Sequence, residues 1–324
     1  MITSKARPEP GFRHEALLYD GPDGFLEGTV PFIREGVDAE EPVLVVVADA
    51  KIRALRAELN CDADRVVFAD MAEVGLNPAR IIPAWRDFLD RNGAGSQPVR
   101  GIGEPIWAGR GHHELVEVQR HESLLNVAFA GSGTWSLLCP YDRTTLDPAV
   151  LDEAERSHPY LVEDGQHRSS TRCRDLHSMA APFDASLGEP PGRTVEIAFT
   201  GEDDLGAVRV FVAQHAQLLG ADTNRATELV LAAHEIASNS VRYGGGGGVL
   251  RMWSDDDAIV CEVRDHGHLE NPLAGRQRPG PRDLGGRGLW MANQLCDLVQ
   301  LRTYEVGNAV RIHMRRVPET HVTS

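Results

Sequence analysis

A short segment rich in glycine and proline divides this chain into two halves with different hydrophobic patterns. The segment is Gly-Glu-Pro-Pro-Gly at 188–192, and regular periodicity already fades from residue 159 onward. Glycine and proline interrupt both helices and strands, so such a cluster marks a break between structural units. A chain of 324 residues also exceeds what a single ordinary core contains. We therefore predict a domain at 12–160, a linker at 161–192 and a second domain at 193–318.

The first domain alternates strand-like apolar runs with amphipathic helical patterns. Residues 42–48 form an unbroken apolar run rich in valine, which suits a strand buried on both faces. Strands separated by helices predict an α/β domain with a mostly parallel sheet. Residues 21–24, Gly-Pro-Asp-Gly, have the composition of a turn, and we interpret them as one. The remaining patterns predict strands at 65–68, 99–103 and 134–139 and helices at 52–59, 78–91, 114–128 and 145–160.

The second domain groups its helices and strands instead of alternating them one by one. Such segregation into layers predicts an α+β sandwich. The patterns predict helices at 202–219, 222–242 and 288–296 and strands at 195–199, 249–253, 258–264, 297–303 and 309–315.

The overall charge and the cysteine pattern argue against several function classes. The chain has 33 Lys and Arg against 48 Asp and Glu, which argues against nucleic acid as a direct partner. Its five cysteines are far apart and form no Cys-x-x-Cys pair, which argues against a zinc site or dithiol motif and fits a reducing compartment. With no apolar run of about 18 residues and no signal-like start, we expect a cytoplasmic protein without a membrane partner.

A carboxylate and an amide one helical turn apart form the first of three motifs. Glu235 and Asn239 are four residues apart in the predicted helix at 222–242, so they share one face. An amide oxygen beside a carboxylate suits a magnesium ion that keeps most of its waters. Taken alone, the same pair is typical of a solvated helix face and a helix-end cap.

Two turns that contain glycine follow this helix. Asp265 ends a predicted strand, where its carboxylate can accept a hydrogen bond from an adenine amino group, and Gly267 lets the backbone lie against the base. Residues 284–289, Leu-Gly-Gly-Arg-Gly-Leu, open a predicted helix whose free amides can hold phosphates. Each motif alone is weak evidence for a nucleotide site. The three motifs in this order, on these helices and strands, are a specific signal for one.

Because they carry these three motifs in this order, residues 194–317 resemble the Bergerat-type ATPase domain. That domain is shared by gyrase, heat-shock chaperones, histidine kinases and anti-sigma-factor serine kinases. The helix with Glu235 and Asn239 is similar to that family's N box, and Asp265 with Gly267 to its G1 box. The resemblance implies ATP and Mg²⁺ as cofactors. It further implies that Asn239 holds magnesium, that Asp265 binds adenine and that Glu235 is the general base.

The glycine loop is similar to the G2 box of the same family. It comprises Gly286, Arg287, Gly288 and Leu289. The resemblance implies that Gly286 and Gly288 close a short lid, residues 266–285, over the phosphates.

The short lid is similar to that of the anti-sigma regulatory kinases in particular. The sequence after it, at 286–290 and 293–297, is similar to the same subfamily. One residue departs from that pattern, because the closing turn of the family usually carries Gly-Thr and this chain has Gly307-Asn308. Asn308 can still donate a hydrogen bond to a phosphate, although with a different reach. The departure weakens the expectation of kinase turnover more than the expectation of ATP binding.

The first domain resembles the MEDS sensory domain of bacterial regulators. That resemblance implies small-ligand sensing on an α/β fold distantly like that of RecA ATPases, and it does not imply the ligand. The matching pieces are His14-Glu15-Ala16-Leu17-Leu18-Tyr19, Phe25-Leu26 with Pro31-Phe32-Ile33, Gly103-Glu104-Pro105, residues 122–126 and Cys139-Pro140-Tyr141-Asp142.

Three other features of the first domain have ordinary structural interpretations. Gly111-His112-His113-Glu114 has metal-ligating side chains, but a polar loop that caps the next helix is the favoured interpretation. His121 and Glu122 are interpreted as positions on an ordinary helix and not as a phosphoacceptor site. The tryptophans are interpreted as core residues, although they are also typical of an apolar pocket: Trp85, Trp107 and Trp135.

Together the two halves predict a sensory module joined to an anti-sigma-factor-like serine/threonine kinase. The resemblance implies a sigma factor and an anti-sigma antagonist protein as partners, with a small-molecule signal at the first domain and a homodimer left open. One alternative is a sensor histidine kinase, which needs a helical hairpin that bears the acceptor histidine. Residues 160–192 make a poor coiled coil. The other alternative is a module that binds a sigma factor in the presence of ATP without catalysis.

Overall fold

The computed structural model describes residues 11–92, 97–255, 257–280 and 286–316. Two compact units make up the chain, Met1–Ala181 and Pro182–Ser324. Each unit contains its own sheet, seven-stranded in the first and five-stranded in the second. None of the described helices combines the length and the apolar character that crossing a bilayer requires.

A mostly parallel sheet forms the centre of the first unit. Its strands are β1 (Phe12–Tyr19), β2 (Val43–Val47), β3 (Val66–Asp70), β4 (Val99–Gly103), β5 (Trp135–Asp142), β6 (Tyr160–Glu163) and β7 (Gln166–Ser169). They lie in the order β3-β2-β4-β5-β1-β6-β7, and only the pair β6 and β7 is antiparallel. Every residue of β2 is buried, as expected for a strand covered on both faces. The predicted α/β class is confirmed.

Helices connect these parallel strands. They are α1 (Gly21–Asp38), α2 (Asp49–Leu59), α3 (Met71–Val74), α4 (Ile81–Asn92), α5 (His112–Ala128) and α6 (Pro148–Ser157). The interpretation of residues 21–24 as a turn is wrong, because they form the first turn of α1. Pro22 lies at the start of this helix, where its missing N–H costs no hydrogen bond.

Three parts of the first unit differ from the sequence pattern. The pattern does not predict β1, whose first half is polar, yet His14 and Glu15 on this strand are buried. The helix predicted at 145–160 is shorter, because Asp147 caps its start by accepting a hydrogen bond from the amide of Ala149. Residues 160–169, most of which were assigned to the linker, form β6 and β7 of the sheet.

An antiparallel sheet with helices packed on it forms the second unit. Its strands are β8 (Val195–Thr200), β9 (Gly247–Asp255), β10 (Ala258–Asp265), β11 (Leu298–Thr303) and β12 (Asn308–Arg315). Its helices are α7 (Leu205–Leu218), α8 (Thr223–Tyr243) and α9 (Arg287–Leu295). The strands lie in the order β11-β12-β10-β9-β8, and α8 packs against α7, α9 and the sheet. The predicted α+β class is confirmed.

Candidate functional site

The long helix α8 carries the first two side chains of the site. Asp222 starts it by accepting hydrogen bonds from the amides of Asn224 and Arg225. Residues of its apolar face, such as Ile236, are buried in the core of the second unit, while Glu235 and Asn239 remain partly exposed. The core contacts therefore fix which way the helix presents this polar pair.

The beginning of α9 lies directly against the same pair. Gly286 precedes the helix with φ of 83°, a left-handed conformation that favours glycine. A Cβ atom on Gly288 would lie 2.9 Å from Nδ2 of Asn239 and 3.0 Å from Oε2 of Glu235. Only glycine leaves room for both side chains here. The structure therefore brings the amide, the carboxylate and the glycine loop together.

The carboxylate of Asp265, at the end of β10, is held by three hydrogen bonds. Its Oδ2 accepts from the hydroxyl of Ser240 at 2.6 Å, and its Oδ1 accepts from the amide of Gly267 at 2.9 Å and from Nδ2 of Asn308 at 3.1 Å. An ionised carboxylate has about four acceptor positions, so one remains for a ligand donor. Asp265 is thus oriented before any ligand binds.

Gly267 lies in a crowded turn beside this carboxylate. A Cβ atom added to it would be 2.8 Å from the carbonyl oxygen of Tyr243 and 2.9 Å from Nδ2 of Asn308. The close approach of the chain on both sides requires glycine at this position, as the Asp-x-Gly motif predicts.

Asn308, the residue that departs from the family pattern, lies beside Asp265. Its Nδ2 donates to Asp265, and its Oδ1 accepts from the hydroxyl of Thr303 at 2.9 Å. These two contacts fix the orientation of the amide. Both contacts lie at the Asp265 end of the site, and the expected role of Asn308 at a phosphate stays a prediction.

A cavity of about 520 Å³ connects these groups. This volume falls in the range of about 300–1,000 Å³ that is usual for small-molecule sites. Five of the residues chosen from the sequence line it: Asn239, Asp265, Gly286, Leu289 and Asn308. Aliphatic side chains supply much of the remaining wall, among them Ile236, Leu269, Leu273, Leu301 and Val310.

The other predicted site residues lie at the edge of this cavity or outside it. Gly288 lies against the ends of the Asn239 and Glu235 side chains, and Gly267 supports Asp265. Arg287 is exposed at the first position of α9. Leu284 and Gly285, which the sequence assigned to the glycine loop and lid, lie outside the described residues.

Some wall residues were missed by the sequence motifs. His268, Asn271 and Gln277 line the cavity from the connection between β10 and α9. They have no fixed spacing from Asp265 or Gly286 that a motif records. The one available sign that they line a site was that they are polar residues within the segment assigned to the lid.

The comparisons with known families agree with this geometry. Residues 200–314 match the histidine kinase-like ATPase domain. Residues 13–159 match MEDS, the methanogen/methylotroph, DcmR sensory domain. The chain carries a MEDS domain followed by a histidine kinase-like ATPase domain. The search of curated proteins found no matching relative.

The ATPase match contains every site residue chosen from the sequence, from Glu235 to Asn308. The cavity, the glycine loop and the Asp265 turn therefore belong to one domain of this superfamily. Membership of the anti-sigma kinases in particular stays a prediction.

The MEDS domain has polar groups at the carboxyl edge of its sheet, where open α/β sheets bind ligands. Lys51 donates to Glu104 at 2.5 Å and to the hydroxyl of Tyr19 at 2.6 Å. Burial raises the pKa of Glu104, although Lys51 opposes the shift. Burial and the neighbouring Glu104 raise the pKa of Tyr19.

A separate cavity of about 460 Å³ lies on the MEDS domain. Its ionisable wall residues include Arg13, Glu15, Arg100 and His167. Glu15 accepts hydrogen bonds from Arg13 and pairs with His167, both at 2.8 Å. Apolar residues such as Phe32, Leu138 and Val162 line the same cavity.

The tryptophans of this domain do not form an apolar pocket. Trp85 and Trp135 are buried, with ring centroids 5.9 Å apart. Trp107 is exposed and lies under the guanidinium of Arg110. The two buried rings are core residues, as interpreted from the sequence, whereas the same interpretation of Trp107 is wrong because its ring is exposed.

Proposed function

We propose that the ATPase domain binds MgATP in the cavity beside α8 and phosphorylates a serine or threonine of a partner protein. The observation that carries the proposal is the contact of Gly288 with both Asn239 and Glu235 next to a cavity that Asp265 lines. In this arrangement a metal-ligating amide and a phosphate-binding helix start border one cavity, and the candidate base lies beside them. The MEDS domain is proposed to control the activity.

Asp265 fits the adenine end of ATP. Three of its acceptor positions are filled by the chain itself, from Ser240, Gly267 and Asn308. The remaining position can accept from the adenine 6-amino group but would repel the 6-oxygen of guanine. Aliphatic wall residues such as Ile236 and Leu301 suit the faces of the base.

Asn239 and the start of α9 fit the phosphate end. The side-chain oxygen of Asn239 is a hard ligand, which suits a magnesium ion that keeps several waters. The free amides at the start of α9 favour anions, and the glycines allow a phosphate to approach the backbone. MgATP, when bound, supplies the transferable phosphoryl group.

Glu235 is the candidate general base. A hydroxyl must lose its proton as it attacks, and a carboxylate beside the metal-binding amide is a suitable acceptor. The contact with Gly288 holds Glu235 close to the start of α9. Its role is to take the proton from the serine or threonine of the partner.

A partner protein as acceptor fits this chain better than an internal histidine. Residues 158–194, all of which the structure describes, form β6, β7 and two short turns of 3₁₀ helix, and no helical hairpin. His158 is buried, and His167 pairs with Glu15. From the resemblance to the anti-sigma kinases we propose a sigma factor and its anti-sigma antagonist as partners, with a small-molecule signal bound by the MEDS domain.

Phosphotransfer to an antagonist tests the proposed reaction. The full chain is incubated with γ-labelled ATP and a candidate anti-sigma antagonist protein, and the label is then exposed to acid. We expect acid-stable label on the antagonist, because serine and threonine phosphates survive acid and histidine phosphate does not. Glu235→Gln should lower the transfer rate by about a hundredfold or more, the usual contribution of a general base.

Glu228→Gln is the matched control for this assay. Glu228 lies on the same helix, where it pairs with Arg225 at 3.0 Å, and it should leave transfer unchanged. Acid-labile label on the chain itself would favour the histidine kinase alternative. ATP binding without any transfer would leave the non-catalytic sigma-binding module as the better account.

Asp265→Asn should weaken ATP binding and relax nucleotide selectivity. The amide replaces an acceptor with a donor opposite the adenine amino group, and a buried unpaired polar group costs about 1–3 kcal/mol. Affinity for ATP should therefore fall roughly tenfold or more on the scale of 1.4 kcal/mol per decade. Isothermal titration with ATP and GTP measures both effects. Asp203→Asn, an exposed change in the same domain, is the control, and equal losses in both variants would refute the assignment.

A further inference from the structure

Four side chains with metal-ligating atoms meet inside the MEDS domain, away from the sites described above. They are His14 on β1, Glu122 on α5, Cys139 on β5 and His158 at the end of α6. His14 and Cys139 lie on the same face of the sheet, because Cys139 pairs with Ala16, two residues beyond His14. All four residues are at most 1% exposed.

The ligating atoms are close enough to share one ion. Nε2 of His14 lies 3.4 Å from Sγ of Cys139 and 3.5 Å from Oε2 of Glu122. Nε2 of His158 lies 3.1 Å from the same carboxylate oxygen. All four atoms fall within 4.8 Å of one another. Zinc bonds of about 2.0–2.3 Å in a tetrahedron place neighbouring ligand atoms roughly 3.3–3.7 Å apart.

Hydrogen bonds on the far side of each imidazole determine which nitrogen faces the cluster. The amide nitrogen of Asn126 donates to the carbonyl oxygen of Ser157 at 2.7 Å, so its Oδ1 faces Nδ1 of His14 as an acceptor at 3.2 Å. Nδ1 of His158 lies 2.8 Å from the carbonyl oxygen of Ala154. Both Nδ1 atoms are therefore donors, and both Nε2 atoms present lone pairs to the centre.

The centre of the cluster brings two imidazole nitrogens against a buried carboxylate. The carboxylate of Glu122 faces Nε2 of His14 and Nε2 of His158. The thiol of Cys139 and the hydroxyl of Tyr141 also interact with this carboxylate. Acceptor atoms facing one another in a buried space repel, which costs free energy unless a cation lies between them.

We propose that His14, Glu122, Cys139 and His158 bind one zinc ion in the MEDS domain. Two imidazoles, a thiolate and a carboxylate suit zinc, whereas magnesium and calcium require oxygen ligands. The four protein ligands fill a tetrahedron and leave no open position, which is typical of a structural site. Binding displaces the proton of the Cys139 thiol to solvent, so the metal replaces a proton in the cluster.

The metal content of the purified full-length chain tests this proposal. We expect one zinc per chain in the parent protein and in Cys61→Ser, which removes an exposed cysteine of the same domain. Cys139→Ser should contain almost none. After replacement of zinc by Co²⁺, the parent should show an absorption band from thiolate-to-cobalt charge transfer, and Cys139→Ser should lack it.

Thermal unfolding with and without a strong chelator supplies a second readout. Chelation should lower the midpoint for the parent and Cys61→Ser and leave that of Glu122→Gln, a milder change than Cys139→Ser, nearly constant. The cobalt spectrum of the parent protein requires no variant. The proposal can therefore be tested even if a variant fails to fold. A parent chain that contains no zinc, takes up neither Zn²⁺ nor Co²⁺ and ignores the chelator would overturn the proposal.

Discussion

Gly288→Ala is expected to remove most nucleotide binding while the ATPase domain stays folded. The new methyl group would lie 2.9–3.0 Å from the ends of the Asn239 and Glu235 side chains, so both must move. Those two atoms end flexible side chains and can rotate away, whereas Cβ of Glu235, 3.3 Å from the new methyl carbon, requires a small shift of a few tenths of an ångström between the helices. Alanine inside a helix also stabilises it by about 0.5–1 kcal/mol relative to glycine. The variant should therefore separate the loss of binding from any loss of stability.

Isothermal titration with ATP and thermal unfolding measure these two quantities in parallel. ATP affinity should fall at least roughly tenfold, which corresponds to about 1.4 kcal/mol. Gly206→Ala on α7 is the control, because its nearest atom would be 3.9 Å away, an ordinary contact. Unchanged ATP affinity in Gly288→Ala would show that the start of α9 and the Asn239 pair do not share a ligand.

Asn239→Ala should reduce ATP binding even more strongly in the presence of Mg²⁺. The substitution removes the proposed magnesium ligand without adding bulk or charge. A hydrogen bond or contact to a charged group contributes about 1.5–3 kcal/mol, so affinity should fall roughly tenfold to hundredfold. The helix should survive, because alanine has the higher helix propensity.

The magnesium dependence of binding identifies the role of this residue. In the parent, chelation of Mg²⁺ should weaken ATP binding, whereas in Asn239→Ala chelation should make little further difference. Asn224→Ala, an exposed change in the first turn of the same helix, should behave like the parent. An equal magnesium effect in Asn239→Ala and the parent would remove Asn239 from the metal site.

Local rules are sufficient to predict most of the ATPase domain. Asp222 starts α8 by capping two amides, and the glycine loop starts α9. Asp265 ends β10 and the glycine loop starts α9, while Asn239 lies in the last turns of α8. Asn239 and Asp265 accordingly line one cavity, as the motifs require.

The contacts of Asn308 were not predictable from the turn in which the sequence places it. Its amide could reach either end of the cavity, and the choice depends on Thr303 and Asp265 across the sheet. Pairing between β10 and β12, with Asp265 opposite Asn308, makes this contact. A register between distant strands is tertiary information that a turn sequence does not contain.

The MEDS domain shows where hydrophobic patterns fail. The start of β1 is polar, so its sequence lacks the apolar pattern of a buried strand. Glu15 is nevertheless buried there, because Arg13 and His167 are its partners. A hydrophobic pattern also fails to reveal the cluster around Glu122, because its members are buried although most of them are polar. Its members come from four elements, so no local spacing such as Cys-x-x-Cys reveals them.

Titration of the unmodified full-length chain with ATP, with Mg²⁺ present and then chelated, tests nucleotide binding by the ATPase domain most directly. Asn239, Asp265 and Gly288 predict one ATP per chain, weaker binding without Mg²⁺ and weaker binding of GTP. No heat of binding with ATP, or equal affinity for ATP and GTP regardless of Mg²⁺, would contradict the assignment of this cavity.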